Sequence, residues 1–463
     1  MSSPSAPICV AIVGFSGAAR TFHLPLLLSL PDLFHLHTIQ QREGSTSGPP
    51  AAKVFPNVRI VPTVEAIFEG TEGDKTGALP PRSLVVIATS NETHNQFALQ
   101  ALRAGHHVVV EKPAALTLVE AESLKQESES RGLVCAAFQN RRLDSDFLTL
   151  RTLLSPTRHT KPSLPSPIGQ PVTVISRFDR YRPFAKGGWR ESVSPEKGGG
   201  LLWDLGAHLI DQALFLFGPP EKVTAFVSSS RGQLPAEVDD DFLVHLHYPL
   251  SAPLPPDSEA PAPGTRISGP RITLGASCLA AHISSEQVRW RVEGTRGSFE
   301  KRGLDPQEDQ LKAGWTPASH PDAFGSYHER IPASMRLGRL TTTMARDSSD
   351  TSANDAGSSG APVQPKLVSS SIPMLPGRYI QFYQNVGQTI RDVEQARNTP
   401  ESIESTEKEE ANEAEVTNLK ATPEVLKALE NLFVKPDQVI MTTRCILLAR
   451  KSAAEQRTVA WTE

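Results

Sequence analysis

The chain has 463 residues, enough for two or three domains at roughly 100 to 200 residues each. Its 47 Lys and Arg residues nearly balance 51 Asp and Glu residues. The formal net charge of −4 leaves no excess of positive charge to attract nucleic acid or an acidic membrane. Proline is over-represented, with 39 residues or about 8 % against a usual value of roughly 5 %. Part of the chain is therefore expected to lie outside the folded core.

Signals for membrane insertion, secretion and metal binding are absent from the sequence. Pro25 and Pro31 interrupt the most apolar stretch, so no run approaches the roughly 18 residues of a membrane-spanning helix. The N-terminus lacks a basic region and passes directly into an apolar, strand-like segment, which argues against a secretory signal. The cysteines lack the paired spacing of a zinc site; they are Cys9, Cys135, Cys278 and Cys445. We therefore expect a cytoplasmic protein without a metal centre.

The first part of the chain alternates short apolar segments with stretches of helical periodicity. Segments rich in Val, Ile and Ala, without polar alternation, predict strands buried on both faces over 8–13, 84–89, 107–110 and 133–138. Helices are predicted over 93–104 and over 117–131, the second beginning with the capping pair Thr117 and Glu120. This alternation predicts an α/β fold with a doubly wound parallel sheet, which binds ligands at the carboxyl ends of its strands.

The second part of the chain has a different pattern. Longer strands with alternating polarity are predicted over 170–178, 222–228, 242–248 and 272–282. One long helix is predicted over 201–217, before most of these strands. The pattern indicates an α+β domain with a large, mostly antiparallel open sheet, and we place the domain boundary between residues 142 and 143.

Four stretches are too polar to offset their ordering entropy by burial, and we predict them to be disordered insertions. Two are dense in proline, at 157–167 and 249–264. Another is rich in Ser, Thr, Asp and Gly, at 346–371, and the last is rich in Glu, at 399–415. The prolines of the first two contribute to the excess noted above.

The turn after the first predicted strand has the small residues that allow a phosphate to approach a helix N-terminus. Against the pattern G-x-G-x-x-G/A the turn keeps Gly14 and Ala19. After the intervening Phe15 it has Ser16 in place of the second glycine, and it adds Gly17. A turn of small residues also occurs for packing alone. The buried strand that precedes it favours dinucleotide binding.

The end of the strand predicted over 34–40 indicates which dinucleotide is bound. An NAD site usually offers Asp or Glu at this place, whereas NADP needs a cation for its 2′-phosphate. The sequence has Gln40, Gln41 and Arg42. We therefore expect NADP, with NAD as the alternative, and Arg42 as the residue that binds the phosphate. The alternative for Arg42 itself is a solvated loop arginine.

Polar residues follow two further strands at the same edge of the sheet. Thr89, Asn91 and His94 follow one, and Glu111 and Lys112 follow the next. A charged side chain that emerges from a buried strand must meet water or a ligand. Lys112 is therefore either a solvated lysine at a strand end or a contact to a bound molecule.

The helix predicted over 201–217 carries a carboxylate and an imidazole. Asp204 and His208 are four residues apart, so they share a face of the helix. A carboxylate beside a histidine fixes its tautomer and raises its basicity, as a general base for an alcohol requires. The alternative is an ordinary surface pair worth a few tenths of a kcal/mol.

Taken together and in this order, the motifs resemble those of the Gfo/Idh/MocA family of NAD(P)-dependent oxidoreductases. Further matching segments are FHLP at 22–25, QNRRLDSDFLTL at 139–150, FDRYRP at 178–183 and WDLGAHLIDQALFLFGPP at 203–220. These segments are similar to a subgroup of bacterial and fungal enzymes that includes scyllo-inositol dehydrogenases. The resemblance implies a Rossmann domain over 1–142 and a substrate-binding and oligomerisation domain over 143–463.

The resemblance also implies roles for particular residues. Lys112 would lie where nicotinamide and substrate meet. Asp204 would orient the catalytic side chains, and His208 would transfer a proton. The residues implied to line the cofactor are Gly14, Phe15, Ser16, Gly17, Thr89, Asn91, His94 and Glu111. Those implied to contact the substrate are Asn140, Tyr181 and Trp189. Arg180, Arg182 and Arg190 are candidates to meet an anionic group, with a structural role as the alternative.

The implied reaction transfers a hydride between NADP(H) and a secondary alcohol or carbonyl of a small polyol, sugar or related substrate, in a homodimer or larger assembly. The same fold also serves proteins that sense a dinucleotide without turnover. Lys112, Asp204 and His208 favour an enzyme, because a sensor needs no proton-transfer group. A third possibility is that the open second sheet is a surface for a protein partner.

Overall fold

The computed structural model describes residues 6–45, 48–69, 77–154, 166–249, 269–343, 366–398 and 421–463. The predicted insertion at 399–415 and nearly all of those at 157–167 and 249–264 lie outside the described residues. Within the described ranges, no helix is both long enough and apolar enough to cross a lipid bilayer.

In the described part of the chain, one sheet contains six parallel strands in the order β3-β2-β1-β4-β5-β6. The strands are β1 Ile8–Val13, β2 Phe34–Gln40, β3 Arg59–Val61, β4 Leu84–Ile87, β5 His107–Val110 and β6 Cys135–Ala137. The predicted doubly wound parallel sheet is confirmed. The strand order reverses between β1 and β4, and an open α/β sheet binds its ligands outside the carboxyl ends of the strands at such a point.

Helices cover both faces of this sheet, which is why its central strands are apolar throughout. They are Ala19–His23, in π geometry, continued by Leu24–Leu28, and then Ala51–Val54, Glu65–Glu69, His94–Arg103 and Leu118–Arg131. The predicted capping box is present, because the Thr117 side chain accepts a hydrogen bond from the Glu120 amide and the Glu120 carboxylate accepts one from the Thr117 amide. The Leu118–Arg131 helix ends at Gly132 in the left-handed conformation.

The second sheet has nine described strands in the order β14-β13-β12-β11-β7-β10-β9-β8-β15. All neighbours are antiparallel except β7 and β10, which confirms the mostly antiparallel sheet. The strands are β7 Pro171–Arg177, β8 Lys222–Ser228, β9 Asp241–His247, β10 Arg271–Ser277, β11 Val288–Gly294, β12 Gly297–Arg302, β13 Leu337–Thr343, β14 Leu367–Pro373 and β15 Val459–Ala460.

The edge strand β14 corrects one prediction. We predicted residues 346–371 to be a disordered insertion, but the last of these belong to β14, which pairs with β13 along its whole length. Its side chains are almost all exposed. An edge strand is held by main-chain hydrogen bonds to a single neighbour, so it needs little apolar burial and its Ser-rich sequence gave no strand signal.

The remaining described helices lie around and between the two sheets. They are Asn140–Leu143, Ser145–Leu154, Trp189–Ser192, Pro195–Lys197, Leu202–Gly206 in π geometry, Ala207–Phe217, Gln307–Lys312, Ala333–Arg336, Ile380–Arg397, Pro423–Leu429 and Pro436–Glu455. The predicted helix over 201–217 is therefore a short π segment continued by an α-helix.

The C-terminal helices connect the two layers. Buried residues of the Ile380–Arg397 helix, among them Phe382 and Tyr383, belong to the apolar core of the first sheet. The Pro436–Glu455 helix contacts β8, the Ala207–Phe217 helix and the Leu118–Arg131 helix. The chain therefore returns to the first layer after completing most of the second sheet, while the boundary after residue 142 stays a prediction.

Candidate active site

A cleft of about 460 Å³ lies where the carboxyl edge of the first sheet faces the second layer. Its first-layer wall comes from the turn after β1 and the residues directly after β5. Its second-layer wall comes from the segment after β7 and the π segment before the Ala207–Phe217 helix. Residues singled out from the sequence that line it are Gly17, Glu111, Lys112, Asn140, Arg180, Arg182, Trp189, Arg190, Asp204 and His208.

Lys112 and Asp204 form an ion pair across the cleft. The Lys112 Nζ donates to Asp204 Oδ1 at 2.8 Å and to the Asp204 main-chain oxygen at 2.7 Å. The side chains are only 11 % and 21 % exposed. Burial raises the pKa of Asp204, but the charges of Lys112, Arg190 and Arg180 outweigh burial and hold this pKa well below its usual range. The ionised carboxylate therefore fixes the lysine cation at the cleft.

His208 is buried beside this pair, and its electrostatics correct one expectation. We expected the carboxylate to raise its basicity, but burial first, and then the charges of Lys112 and Arg141, lower the pKa of His208 well below its usual value. The Asp204 charge opposes these effects without overcoming them, and Oδ1 of Asp204 is already bonded to Lys112. His208 is therefore a neutral imidazole at neutral pH, which can accept a proton.

The Nδ1 atom of His208 is buried and has no hydrogen-bond partner among the described residues. A ligand can therefore meet this histidine only at its other ring nitrogen, Nε2. The residue itself lines the cleft. A molecule in the cleft that exchanges a proton with His208 would therefore do so at Nε2.

A buried network stands behind Lys112. His23 Nε2 lies 2.9 Å from Glu111 Oε1, and His23 Nδ1 lies 2.6 Å from the Tyr383 hydroxyl. The other oxygen of Glu111 accepts from the Lys112 amide at 3.0 Å. Burial raises the pKa of Glu111, but the hydrogen bond and charge of His23 and the charge of Lys112 lower it below its usual value. The network fixes the backbone from which Lys112 reaches Asp204.

The turn after β1 has the geometry of a phosphate cradle. Gly14 has a φ of 91°, and a Cβ there would lie 2.8 Å from the Ala88 carbonyl oxygen, so a side chain is excluded. A Cβ at Gly17 would meet no atom within 4 Å, so the space above this helix start is open. Ser16 Oγ accepts from the Ala19 amide at 3.2 Å, which caps the helix. These residues fit a dinucleotide whose pyrophosphate lies at the helix N-terminus.

Several predicted cofactor residues do not line the cleft themselves. Phe15 is buried and packs edge-on against Phe55. Asn91 donates to the Gly198 carbonyl at 3.0 Å and so joins the two layers. The ring nitrogens of the buried His94 lie 2.8 Å from the Pro113 carbonyl oxygen and 3.2 Å from that of Thr89. Burial lowers the pKa of His94. These three side chains have protein partners, and their contact with a cofactor stays a prediction.

Arg42 is exposed directly after β2. The two glutamines before it are engaged with the protein: Gln40 donates to the Pro62 carbonyl and Gln41 accepts from the Ala51 amide, both at 2.7 Å. Arg42 is therefore the side chain of this triplet that is available to a ligand.

Tyr181 is the predicted substrate residue that the structure does not bring into the cleft. Its side chain is 58 % exposed, and its backbone bridges to Leu279. Successive side chains of an extended segment point to opposite sides. Arg180 and Arg182 therefore face the cleft, and both line it.

The structure adds residues that the sequence alone did not single out. His23 lies in the FHLP segment, but the spacing gave no reason to choose it. Tyr383 is 360 residues away from His23 in sequence, so no local pattern connects them. Arg141 lines the cleft and pairs with Glu308 at 2.6 Å. In the part of the chain that the structure describes, no group of three or more His, Cys, Asp or Glu side chains is placed to hold a metal ion.

Two family models match the chain. Residues 8–139 match the oxidoreductase family with an NAD-binding Rossmann fold, and residues 166–300 match the GFO/IDH/MocA C-terminal domain. The first model spans β1 to the residues after β6, and the second spans β7 to the middle of β12. Both layers of the cleft are therefore parts of one family pattern.

Individual proteins agree with this match. An uncharacterized oxidoreductase of Schizosaccharomyces pombe is 32 % identical over 386 residues, which are 83 % of this chain and 90 % of that protein. The scyllo-inositol 2-dehydrogenase (NADP(+)) IolW of Bacillus subtilis is 31 % identical over 386 residues, 83 % of this chain and 87 % of that protein. The solved structure of the oxidoreductase YvaA of Bacillus subtilis covers 99 % of both chains at 25 % identity, with a TM-score of 0.69. The chain belongs to the Gfo/Idh/MocA family of oxidoreductases and is an NAD(P)-dependent dehydrogenase with an NAD-binding Rossmann fold.

Proposed function

We propose that the enzyme transfers a hydride between NADP(H) and a secondary alcohol or carbonyl group of a small polyol or sugar-like substrate. The observation that carries this proposal is the meeting of the Lys112 cation with the neutral imidazole of His208 in one cleft, next to the open turn at Gly17. A proton acceptor and a fixed cation are what the oxygen of an alcohol needs when it becomes a carbonyl.

The residues of the cleft divide the work as follows. A nicotinamide cofactor, when bound, supplies the hydride acceptor or donor. In alcohol oxidation His208 takes the hydroxyl proton, and Lys112 stabilises the negative charge that develops on the substrate oxygen. Asp204 holds the lysine in place through the 2.8 Å ion pair. In reduction His208 returns the proton to the oxygen.

Binding of NADP would use two parts of the first layer. The turn of Gly14, Ser16 and Gly17 would hold the pyrophosphate, and Arg42 would bind the 2′-phosphate. The relative IolW is named as an NADP-dependent enzyme acting on scyllo-inositol, which supports both the cofactor and the substrate class proposed here. The cytoplasmic location and the homo-oligomer stay predictions.

A screen for cofactor turnover tests the proposal. The purified protein is incubated with NADP⁺ or NAD⁺ and a panel of polyols and aldoses, and with the reduced cofactors and the matching ketones and aldehydes. We expect a change in nicotinamide absorbance with at least one polyol or sugar pair. Tight NADP binding without turnover in either direction would instead support the dinucleotide-sensing alternative.

Replacing Arg42 tests the cofactor assignment. Arg42→Ala is expected to raise KM for NADP at least about tenfold, because hydrogen bonds to charged groups are typically worth about 1.5–3 kcal/mol. KM for NAD, which lacks the 2′-phosphate, should change less than about twofold. Arg42→Lys keeps the charge and should keep most of the preference. A wild-type preference for NAD that Arg42→Ala leaves unchanged would contradict the assignment.

A further inference from the structure

The carboxylates that line the cleft already have protein partners. On the second-layer wall Arg231 pairs with Glu191 and with Asp240, each at 2.8 Å. Arg141, which follows β6, pairs with Glu308 at 2.6 Å. Asp204 and Asp239 are likewise within ion-pair distance of Lys112 and Arg450, and Glu111 has a hydrogen bond with His23. The acidic side chains of the cleft therefore have little capacity left to neutralise further cations.

Two guanidinium groups in the cleft stand outside these pairs. Neither Arg180 nor Arg182 makes an ion pair or a side-chain hydrogen bond with another described residue. Arg180 lies over the ring of Phe178, 5.0 Å from its centroid. Arg190 differs from both, because it lies 3.4 Å from Asp204 and stacks on Trp189.

The backbone presents both arginines from a fixed segment. The amides of Arg180 and Arg182 donate to the Ser277 and Cys278 carbonyls at 2.8 and 2.7 Å, and the Ala280 amide donates to the Arg180 carbonyl at 3.1 Å. The segment is thus an extension of the second sheet. Because alternate residues share a side, the two guanidinium groups face the cleft together.

Arg180 also lies near the reacting groups. Burial lowers the pKa of Arg180, as do the charges of Arg182 and Arg141, whereas the charge of Asp204 raises it. A half-buried cation without a hydrogen-bonded partner costs free energy, and an anionic ligand would offset that cost. A guanidinium group matches the oxygen geometry of a carboxylate or a phosphate, and the cleft is lined by both the half-buried Arg180 and the exposed Arg182.

We propose that Arg180 and Arg182 bind an anionic group of the substrate, so that the enzyme acts on a polyol or sugar that carries a carboxylate or a phosphate. The reaction in this inference rests on the proposed function, whereas the binding of an anion is argued only from Arg180 and Arg182. The reacting hydroxyl would lie at Lys112 and His208, and the anionic group would lie toward the second sheet.

The test compares neutral and anionic compounds of the same carbon skeleton. Glucose, gluconate and glucose 6-phosphate are titrated into the NADP⁺-loaded protein by calorimetry, so that the cofactor already fills the phosphate cradle near Gly17. The same titrations are made with Arg180→Gln/Arg182→Gln. The matched control is Arg291→Gln, because Arg291 is an exposed arginine of the same sheet, on β11, outside the cleft.

In the wild-type protein we expect at least one anionic compound to bind at least about tenfold more tightly than glucose, as hydrogen bonds to charged groups predict. The double variant should lose this difference, and Arg180→Lys/Arg182→Lys should keep most of it. Preference for gluconate or for glucose 6-phosphate identifies which anion the pair recognises. Equal binding of all three compounds, or a preference that survives in a folded Gln variant, would overturn the inference.

Kinetics separate this inference from the proposed function. If the double variant turns over neutral polyols as the wild type does, and the wild type shows no preference for anionic compounds, the inference is wrong and the proposed function stands. If anions bind through the two arginines but no compound in the panel is turned over, the anion site is confirmed and the proposed function is wrong.

Discussion

His208→Ala is expected to lower kcat at least about 100-fold, because general acid–base catalysis typically contributes about 10² to 10⁴-fold. NADP affinity should change less than about threefold, because the predicted cradle for the cofactor lies at Gly14, Ser16 and Gly17. Lys112→Ala should have an effect on kcat of the same order, since the developing alkoxide would lose its fixed cation. Steady-state kinetics and a fluorescence titration with NADPH measure the two quantities.

A pH profile distinguishes proton transfer from a structural role of His208. The pKa of this histidine lies well below the ordinary 6.5, so the imidazole stays neutral as the pH falls through 6.5. Because only the neutral form accepts a proton, kcat/KM for oxidation should fall only at lower pH. The exposed His282 offers a control, and His282→Ala should behave as the wild type. Near-normal turnover in both His208→Ala and Lys112→Ala would refute the assignment.

Asp211→Ala is expected to lower the free energy of unfolding by about 3–5 kcal/mol, the usual cost of removing one partner from a buried ion pair. Arg142 donates to both oxygens of Asp211, at 2.7 and 2.6 Å, and the two side chains are 1 % and 3 % exposed. The same guanidinium donates to the Phe433 carbonyl and to the Gln438 side chain. The substitution would leave this cation buried and without its charge partner.

Urea-induced unfolding measures the effect. Arg291→Ala breaks an exposed pair with Glu293 on the second sheet, and it should cost less than about 1 kcal/mol. A cost for Asp211→Ala as small as that of this control would show that the Arg142 cation finds another partner or water. Asp211 lies outside the cleft lining, so the kcat of the folded fraction should change little.

The sequence predicted the bounds of four strands, β1, β2, β5 and β8, to the residue. The fully buried β4 and β6 are shorter than the predicted 84–89 and 133–138, because their apolar runs extend beyond the paired residues. The edge strand β14 was predicted to be disordered, because main-chain pairing leaves no mark on side-chain composition. The Ile380–Arg397 helix was not predicted, and neither was its place in the first layer, since an apolar stripe does not identify the surface that it covers.

For the site, the sequence identified residues better than it identified their partners. Lys112, Asp204 and His208 do meet in one cleft. The four-residue spacing suggested that Asp204 serves His208, whereas the structure pairs Asp204 with Lys112, which is 92 residues away. Such a contact follows from how the two layers pack. The position of Tyr181, by contrast, was within reach of sequence reasoning, because alternation along an extended segment assigns it to the side opposite Arg180.

The return of the C-terminal helices to the first layer has a consequence for biosynthesis. A ribosome delivers His23 and Glu111 long before Tyr383, which follows His23 by 360 residues. During synthesis the core of the first sheet therefore lacks the side chains that complete it, and its apolar surface stays open until nearly the whole chain has emerged. Contacts between such distant residues form late, because a long loop must close first. The hydrogen bond between Tyr383 and His23, which completes the network behind Lys112, can form only after residue 383 has left the ribosome.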